Sequence, residues 1–270
     1  MGRRGRAYSI EVWRSEGDGV GDVGITHIRL AGASALLAAS GVLAIAGSAQ
    51  RWWPACRIGA FDSGECWGLQ DDAYDYTYPS SSWTPVGMAA ELHGIGMLLL
   101  AVAVLLLPGI LLGRRPGLVL SISAVVVAVA TAVVEAAQWR SGFEGQVVTV
   151  PGSGVAVTLS WLGLPALVIA LAVSTVLHPP LVSPPQRVWT GRLVVMACLV
   201  ANNPIFHFVA ASILVGYTSY DTNPWSEAVG GLLLVVASRF LWLANYRDPV
   251  AAAGSGGDPM PQRDRLPQAS

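Results

Sequence analysis

The chain has 270 residues, of which 53% are hydrophobic and 12% charged, with a mean hydropathy of +0.53. A soluble domain carries roughly 25% charged residues, so this composition excludes that class and points to a bilayer. Sixteen cations against seventeen acids leave a net charge of −1, without the basic surplus that a nucleic-acid binder needs, so no nucleic-acid partner is expected. All sixteen cations are Arg, and with the abundance of Ala, Val, Leu and Gly this is the usage of a GC-rich bacterial genome.

Residues 1–27 are polar and Gly-rich and read as a cytoplasmic N-terminal segment. A first apolar run follows over 28–49, long enough to cross about 30 Å of hydrocarbon, so it reads as a retained helix and not as a cleaved signal. The loop 50–85 comes next. It holds Cys56 and Cys66, the two Cys expected outside the membrane, and an oxidising compartment favours a disulfide between them. Closing so short a loop stabilises by roughly 2–3 kcal/mol through the entropy of the unfolded chain. Beyond Cys66 the loop alternates acids with aromatics, including Asp71, Asp72, Tyr74, Asp75, Tyr76 and Tyr78. Such a run could bind a cation, a sugar or a basic surface. It could equally be solvated, with its rings on the membrane or on the disulfide.

Trp53-x-x-Cys56 followed by Cys66, after a first membrane helix, resembles part of the first extracellular loop of the claudin family. The resemblance covers residues 53–66 only. The family's earlier Trp would fall inside the first helix, where this chain has small apolar residues, and the family has fewer helices, so the resemblance implies no function.

A second helix is expected over 86–112, opened by Glu91 and His93, and a third over 118–137, ending at Glu135. The five-residue link Gly113-Arg114-Arg115-Pro116-Gly117 makes these two antiparallel neighbours. Glu91, His93 and Glu135 could therefore meet at one depth, as a metal site or proton-exchanging pair requires, or lie solvated among headgroups. The loop 138–158 carries two β-branched runs, Val147–Val150 and Val155–Thr158, around Pro-Gly-Ser-Gly, which is a hairpin signal. That hairpin would pair with the disulfide loop as an outer cap.

A fourth helix is expected over 159–177, then a stiff cytoplasmic link, 178–190, containing four prolines. The fifth helix, 193–217, is interrupted near its middle by Asn202, Asn203 and Pro204, with His207 one turn beyond Asn203. Pro204 removes a backbone donor and frees a carbonyl one turn earlier. Amide and imidazole groups on a broken helix are how many transporters build a midplane site; interhelical hydrogen bonding around a simple kink is the structural alternative. A sixth helix, 228–246, contains Arg239, which could meet a carboxylate or an anion, or stretch to the cytoplasmic interface past Phe240 and Trp242. Residues 248–270 lack apolar periodicity and read as a disordered cytoplasmic tail.

Orientation follows from Arg. With the N-terminus inside, the cytoplasmic segments hold Arg3, Arg4, Arg6, Arg14, Arg29, Arg114, Arg115, Arg187, Arg192, Arg247, Arg263 and Arg265, against Arg51, Arg57 and Arg140 outside. Trp52, Trp53, Trp83, Trp139, Trp161 and Trp225 then fall at outer helix ends, where indoles anchor at headgroups. The expectation is an all-α integral membrane protein of six transmembrane helices in a bacterial plasma membrane, with both termini cytoplasmic, a disulfide-stapled outer loop and a hairpin cap. Its partners would be the lipid bilayer and an envelope protein bound through the outer loops. No nucleotide-binding, zincin or serine-hydrolase motif occurs, so a non-catalytic accessory component or a small permease is favoured. A membrane-embedded acid–base or metal-dependent enzyme built on Glu91, His93, Glu135 and His207 is the alternative. The sequence identifies no cofactor, substrate or metal.

Overall fold

A computed structural model describes residues 19–77, 79, 82–177, 186–219 and 221–245. In hydrocarbon every backbone N–H and C=O must be satisfied within the segment or against a neighbour, and the Ala/Val/Leu runs answer this as helices. The order is α1 (Gly19–Trp52), α2 (Gly64–Leu69), a short 3-10 turn (Asp72–Tyr74), α3 (Ala89–Leu112), α4 (Leu118–Glu144), α5 (Ser153–Leu177), α6 (Gln186–Ala201), α7 (Pro204–Val215) and α8 (Ser226–Asn245). Among the described residues, five helices are long and apolar enough to cross a membrane: α1 from His27, α3, α4, α5 and α8. The expected fifth helix is two shorter pieces, α6 and α7, and neither alone is among those five.

The bundle is organised around α1, which packs along both α3 and α8. Neighbours then run from α3 to α4 to α5, and from α8 to α6 and α7. Lipid supplies no hydrophobic drive between helices, so association needs close packing at small residues. Gly41 and Gly231 meet face to face; a Cβ on Gly41 would lie 2.3 Å from the Gly231 carbonyl oxygen, and one on Gly231 2.5 Å from that of Gly41. Gly47 lies against Ala89, Gly96 against Ser40, and Gly191 against Ala244. Leu37, Leu100, Leu111, Leu171, Leu199 and Leu234 fill the core, while Val102, Val125, Ile169 and Leu232 point outward, as a lipid-facing belt does.

Gly113 ends α3 in the left-handed region at φ 65°, which lets its N–H reach back to Gly109 and Ile110. The Arg192 guanidinium lies beside it, where a cation complements the helix C-terminus, and Arg114 donates to Ser174 Oγ at 3.1 Å. These contacts tie α6 and α5 to the turn between α3 and α4.

Several boundaries differ from expectation. α1 begins at Gly19, inside the segment expected to precede it, and α4 continues to Glu144. The hairpin does not form: among the described residues there is no strand, Val147–Val150 is irregular, and α5 starts at Ser153. Pro151 and Gly152, the latter at φ 81°, make a turn that launches a helix, with the Ser153 N–H bonded to Val150 and that of Ala156 to Gly152. β-branched residues favour strands only where a pleated partner surface exists, and none lies alongside. The partner of the disulfide loop is instead the connection between α7 and α8. Residues 186–190 of the expected Pro-rich link belong to α6, and 178–185 and 248–270 lie outside the described residues.

Candidate functional site at the disulfide-loop end of the bundle

Cys56 and Cys66 are joined, and their bridge lies buried with Trp52 and Phe61. Ser63 caps α2 by accepting from the Cys66 N–H, and Asp71 caps the next turn by accepting from Ala73. The α7–α8 connection braces this loop. Ser219 Oγ donates to Gln70 Oε1 at 2.6 Å, Asp221 accepts the Asp72 N–H at 3.0 Å, and Trp225 Nε1 donates to the Cys56 carbonyl at 2.6 Å.

Beneath the loop lies a chain of buried polar groups. Arg51, in the last turn of α1, has a fully buried side chain. Its Nε and one terminal nitrogen both donate to the Leu69 carbonyl, at 3.0 and 2.8 Å, and the other stands 3.6 Å from Asp75 and 3.9 Å from Glu227. Glu227 opens α8, where the helix N-terminus favours a carboxylate, and it accepts from Trp52 Nε1 at 3.0 Å and Ser48 Oγ at 3.3 Å. Burial pushes the Asp75 carboxyl above its ordinary range, against the pull of the Arg51 guanidinium. Tyr76 is buried completely, and burial together with the Glu227 charge raises its phenol well above the usual value.

The Tyr76 ring meets His93 edge-on at 5.6 Å, which links this cluster to a second one. His93 and Glu135 approach to 3.9 Å, with Gln138 bridging them. Oriented to satisfy its neighbours, the Gln138 amide donates to Glu135 at 2.9 Å and to the Thr77 carbonyl at 3.2 Å, and accepts from His93 Nδ1 at 3.0 Å. Helices α3 and α4 approach closely enough for this because Gly94 and Gly142 face α4 and α3 without a Cβ.

The expected triad is therefore realised in part. His93 and Glu135 come together, whereas Glu91 is half-buried and lies against Gly142. Among the described residues no three His, Cys, Asp or Glu groups share a position that could hold a metal ion. The break in the fifth helix does occur at Asn202 and Asn203. Gly191 packs at Ala244 and Asn202 at Gly230, so α6 covers about 21 Å of α8 at 1.5 Å per residue and the break lies beside the first turns of α8. The carbonyl freed by Pro204 is not left open, since the Asn203 N–H donates to Val200 at 3.0 Å. Asn203 Nδ2 donates to the Trp161 carbonyl, whose own helical partner would be residue 165, a proline. The side chain of His207 lies outside the described residues. Arg239 is exposed on the flank of α8, away from these clusters.

Sequence reasoning missed Arg51, Glu227 and Gln138 as members of these clusters, and read Asp75 and Tyr76 as part of an acid–aromatic run without their buried partners. Trp52 and Trp83 are buried and not at headgroups, Trp52 because Glu227 takes its indole N–H. A cavity of about 540 Å³ opens between the disulfide loop and the end of α7, where Trp53, Arg57, Ile58 and Phe61 face Leu214, Val215 and Trp225. No family model matches the chain, and neither curated proteins nor solved structures match it.

Proposed function

We propose that the chain is a six-crossing plasma-membrane protein with both termini cytoplasmic, and that it serves as a non-catalytic accessory component whose outer cap binds a partner in the cell envelope. The observation that carries this reading is the cap's construction. A disulfide, a buried Arg and the α7–α8 connection fix it rigidly to the bundle, yet Ile58 is 93% and Trp67 66% exposed on it. Exposed apolar side chains on a rigid scaffold are the usual form of a binding face. In this reading α6 and α7 together make the sixth crossing, which keeps the ends of α7 and α8 that flank the last connection beside the cap.

The bacterial setting and the orientation rest on Arg usage and distribution. Reporter fusions at Tyr76 and Val150 should report outside, and those at Arg115 and the tail inside; an outside tail refutes the six-crossing topology. Photocrosslinkers at Ile58 and Trp67 in native membranes should yield one discrete adduct, lost in Trp67→Asp. Adducts to lipid alone refute partner binding.

A second reading, a proton-coupled permease or acid–base catalyst, is favoured by His93, Gln138 and Glu135. An imidazole and a carboxylic acid sharing one amide can hold or pass a proton. Its test is proton uptake by proteoliposomes, abolished in Glu135→Gln. The Asn203 amide at the helix break favours the accessory role, since its nitrogen is engaged by the Trp161 backbone carbonyl.

A further inference from the structure

We propose that the cavity between the disulfide loop and α7 is a binding site for one anionic phospholipid of the outer leaflet, with an acyl chain between Phe61 and Leu214 and the phosphate on Arg57. The site deepens the outer-cap reading and rests on its outward orientation.

Four observations converge. At about 540 Å³ the cavity falls within the range of small-molecule sites, and its walls are aromatic and aliphatic, which suits a hydrocarbon chain and repels a hydrated solute. Arg57 is its one charged lining residue. The guanidinium stands 4.7 Å over the Trp53 ring, and among the described residues no carboxylate lies within 4 Å of it, so its charge is free for an anion. The nearby Asp62 is engaged instead by the Tyr217 hydroxyl at 3.3 Å. The cavity also borders the flank of α7, where Leu214 is 62% exposed, so a chain can enter sideways from the membrane. Finally, Trp225 is held at φ 65°, a left-handed conformation costly for a bulky side chain, and its bond to the Cys56 carbonyl keeps its ring in the wall. Strain retained at a cavity wall marks a position fixed for more than packing.

The chemistry of recognition follows. An Arg fork on a phosphate forms charge-assisted hydrogen bonds, and the ring beneath it keeps the fork flat. The acyl chain would replace lipid contacts with Phe61, Leu214 and Val215 and leave no polar wall unsatisfied.

The test uses the full chain in nanodiscs of equal phosphatidylglycerol and phosphatidylcholine, with retained lipid counted by native mass spectrometry. One phosphatidylglycerol should remain per chain, preferred about tenfold over phosphatidylcholine, the value of one charge-assisted contact. Arg57→Gln should bring the two lipids to parity while still retaining one, and Leu214→Trp, which fills the cavity from an exposed position, should retain neither. Equal retention by all three proteins overturns the proposal, as does displacement of the bound lipid by millimolar inorganic phosphate, which would make the occupant a free anion. Reporter fusions at Tyr76 read the orientation separately, so an inward cap refutes the cap reading whatever the lipid count.

Discussion

Arg51 makes no contact with solvent, and its stability depends wholly on the groups around it. The Leu69 carbonyl, Asp75, Glu227 and the Trp52 ring, 4.3 Å below the guanidinium, together replace its hydration. Removing one member of such a buried set strands the others, which costs about 3–5 kcal/mol, while removing the charges together costs less. Arg51→Met should therefore lower the denaturation midpoint sharply in detergent unfolding, and adding Glu227→Gln and Asp75→Asn should restore most of it. Asp75 adds a pH dependence of a definite sign. Its folded carboxyl sits above the ordinary range, so protonation favours the folded loop; this contribution is full below the unfolded pKa and fades as pH rises through the folded one. Amide exchange around Tyr76, corrected for intrinsic rates, should slow from pH 7 to pH 5, and Asp75→Asn should flatten that trend. None of this was legible locally, because Arg51 and Glu227 each look like an interfacial charge at a helix end and the pairing joins the two ends of the sequence.

The broken helix was legible as a break and illegible in its register against α8. Asn202, Asn203 and Pro204 weaken a helix by competing for or removing backbone bonds, whatever surrounds them. Where the break falls depends on the register of α6 against α8, which Gly191 and Gly230 set and no periodicity reveals. The misread hairpin has the same cause, for Val147–Val150 has strand propensity and no neighbouring strand. The pairing of Asn203 with Trp161 makes a double-mutant test. Asn203→Leu leaves the Trp161 carbonyl unsatisfied and should cost about 1–2 kcal/mol. In a Pro165→Ala background the residue 165 N–H can take that carbonyl, so the same replacement should cost less than half as much. Equal costs in both backgrounds, measured by steric-trap or detergent unfolding, would show that the amide acts elsewhere.

Across the whole molecule, the first and last described helices are direct partners. Gly41→Ala should destabilise by about 1–3 kcal/mol because its Cβ meets α8 backbone, whereas Gly32→Ala, with open space around it, should be neutral or gain up to about 1 kcal/mol. The membrane class, the α3 and α8 spans nearly to their ends, and the Cys56–Cys66 bridge were legible, since length, hydropathy and compartment dictate them. The closure of the bundle was not, because lipid-facing and helix-facing positions here are both apolar and only the small residues differ. That closure imposes an order in time. During synthesis at about 5–20 residues per second, the Arg51 side chain emerges roughly ten to thirty seconds before Glu227. Through that interval α1 resides in the insertion machinery or its lipid surroundings with a cation that lacks its full complement. A ribosome-stalled chain ending before α8 should thus remain crosslinkable to that machinery through α1 and be cleared by membrane proteases, and Arg51→Met should release it early. The last helix made is in this sense the latch that certifies the first.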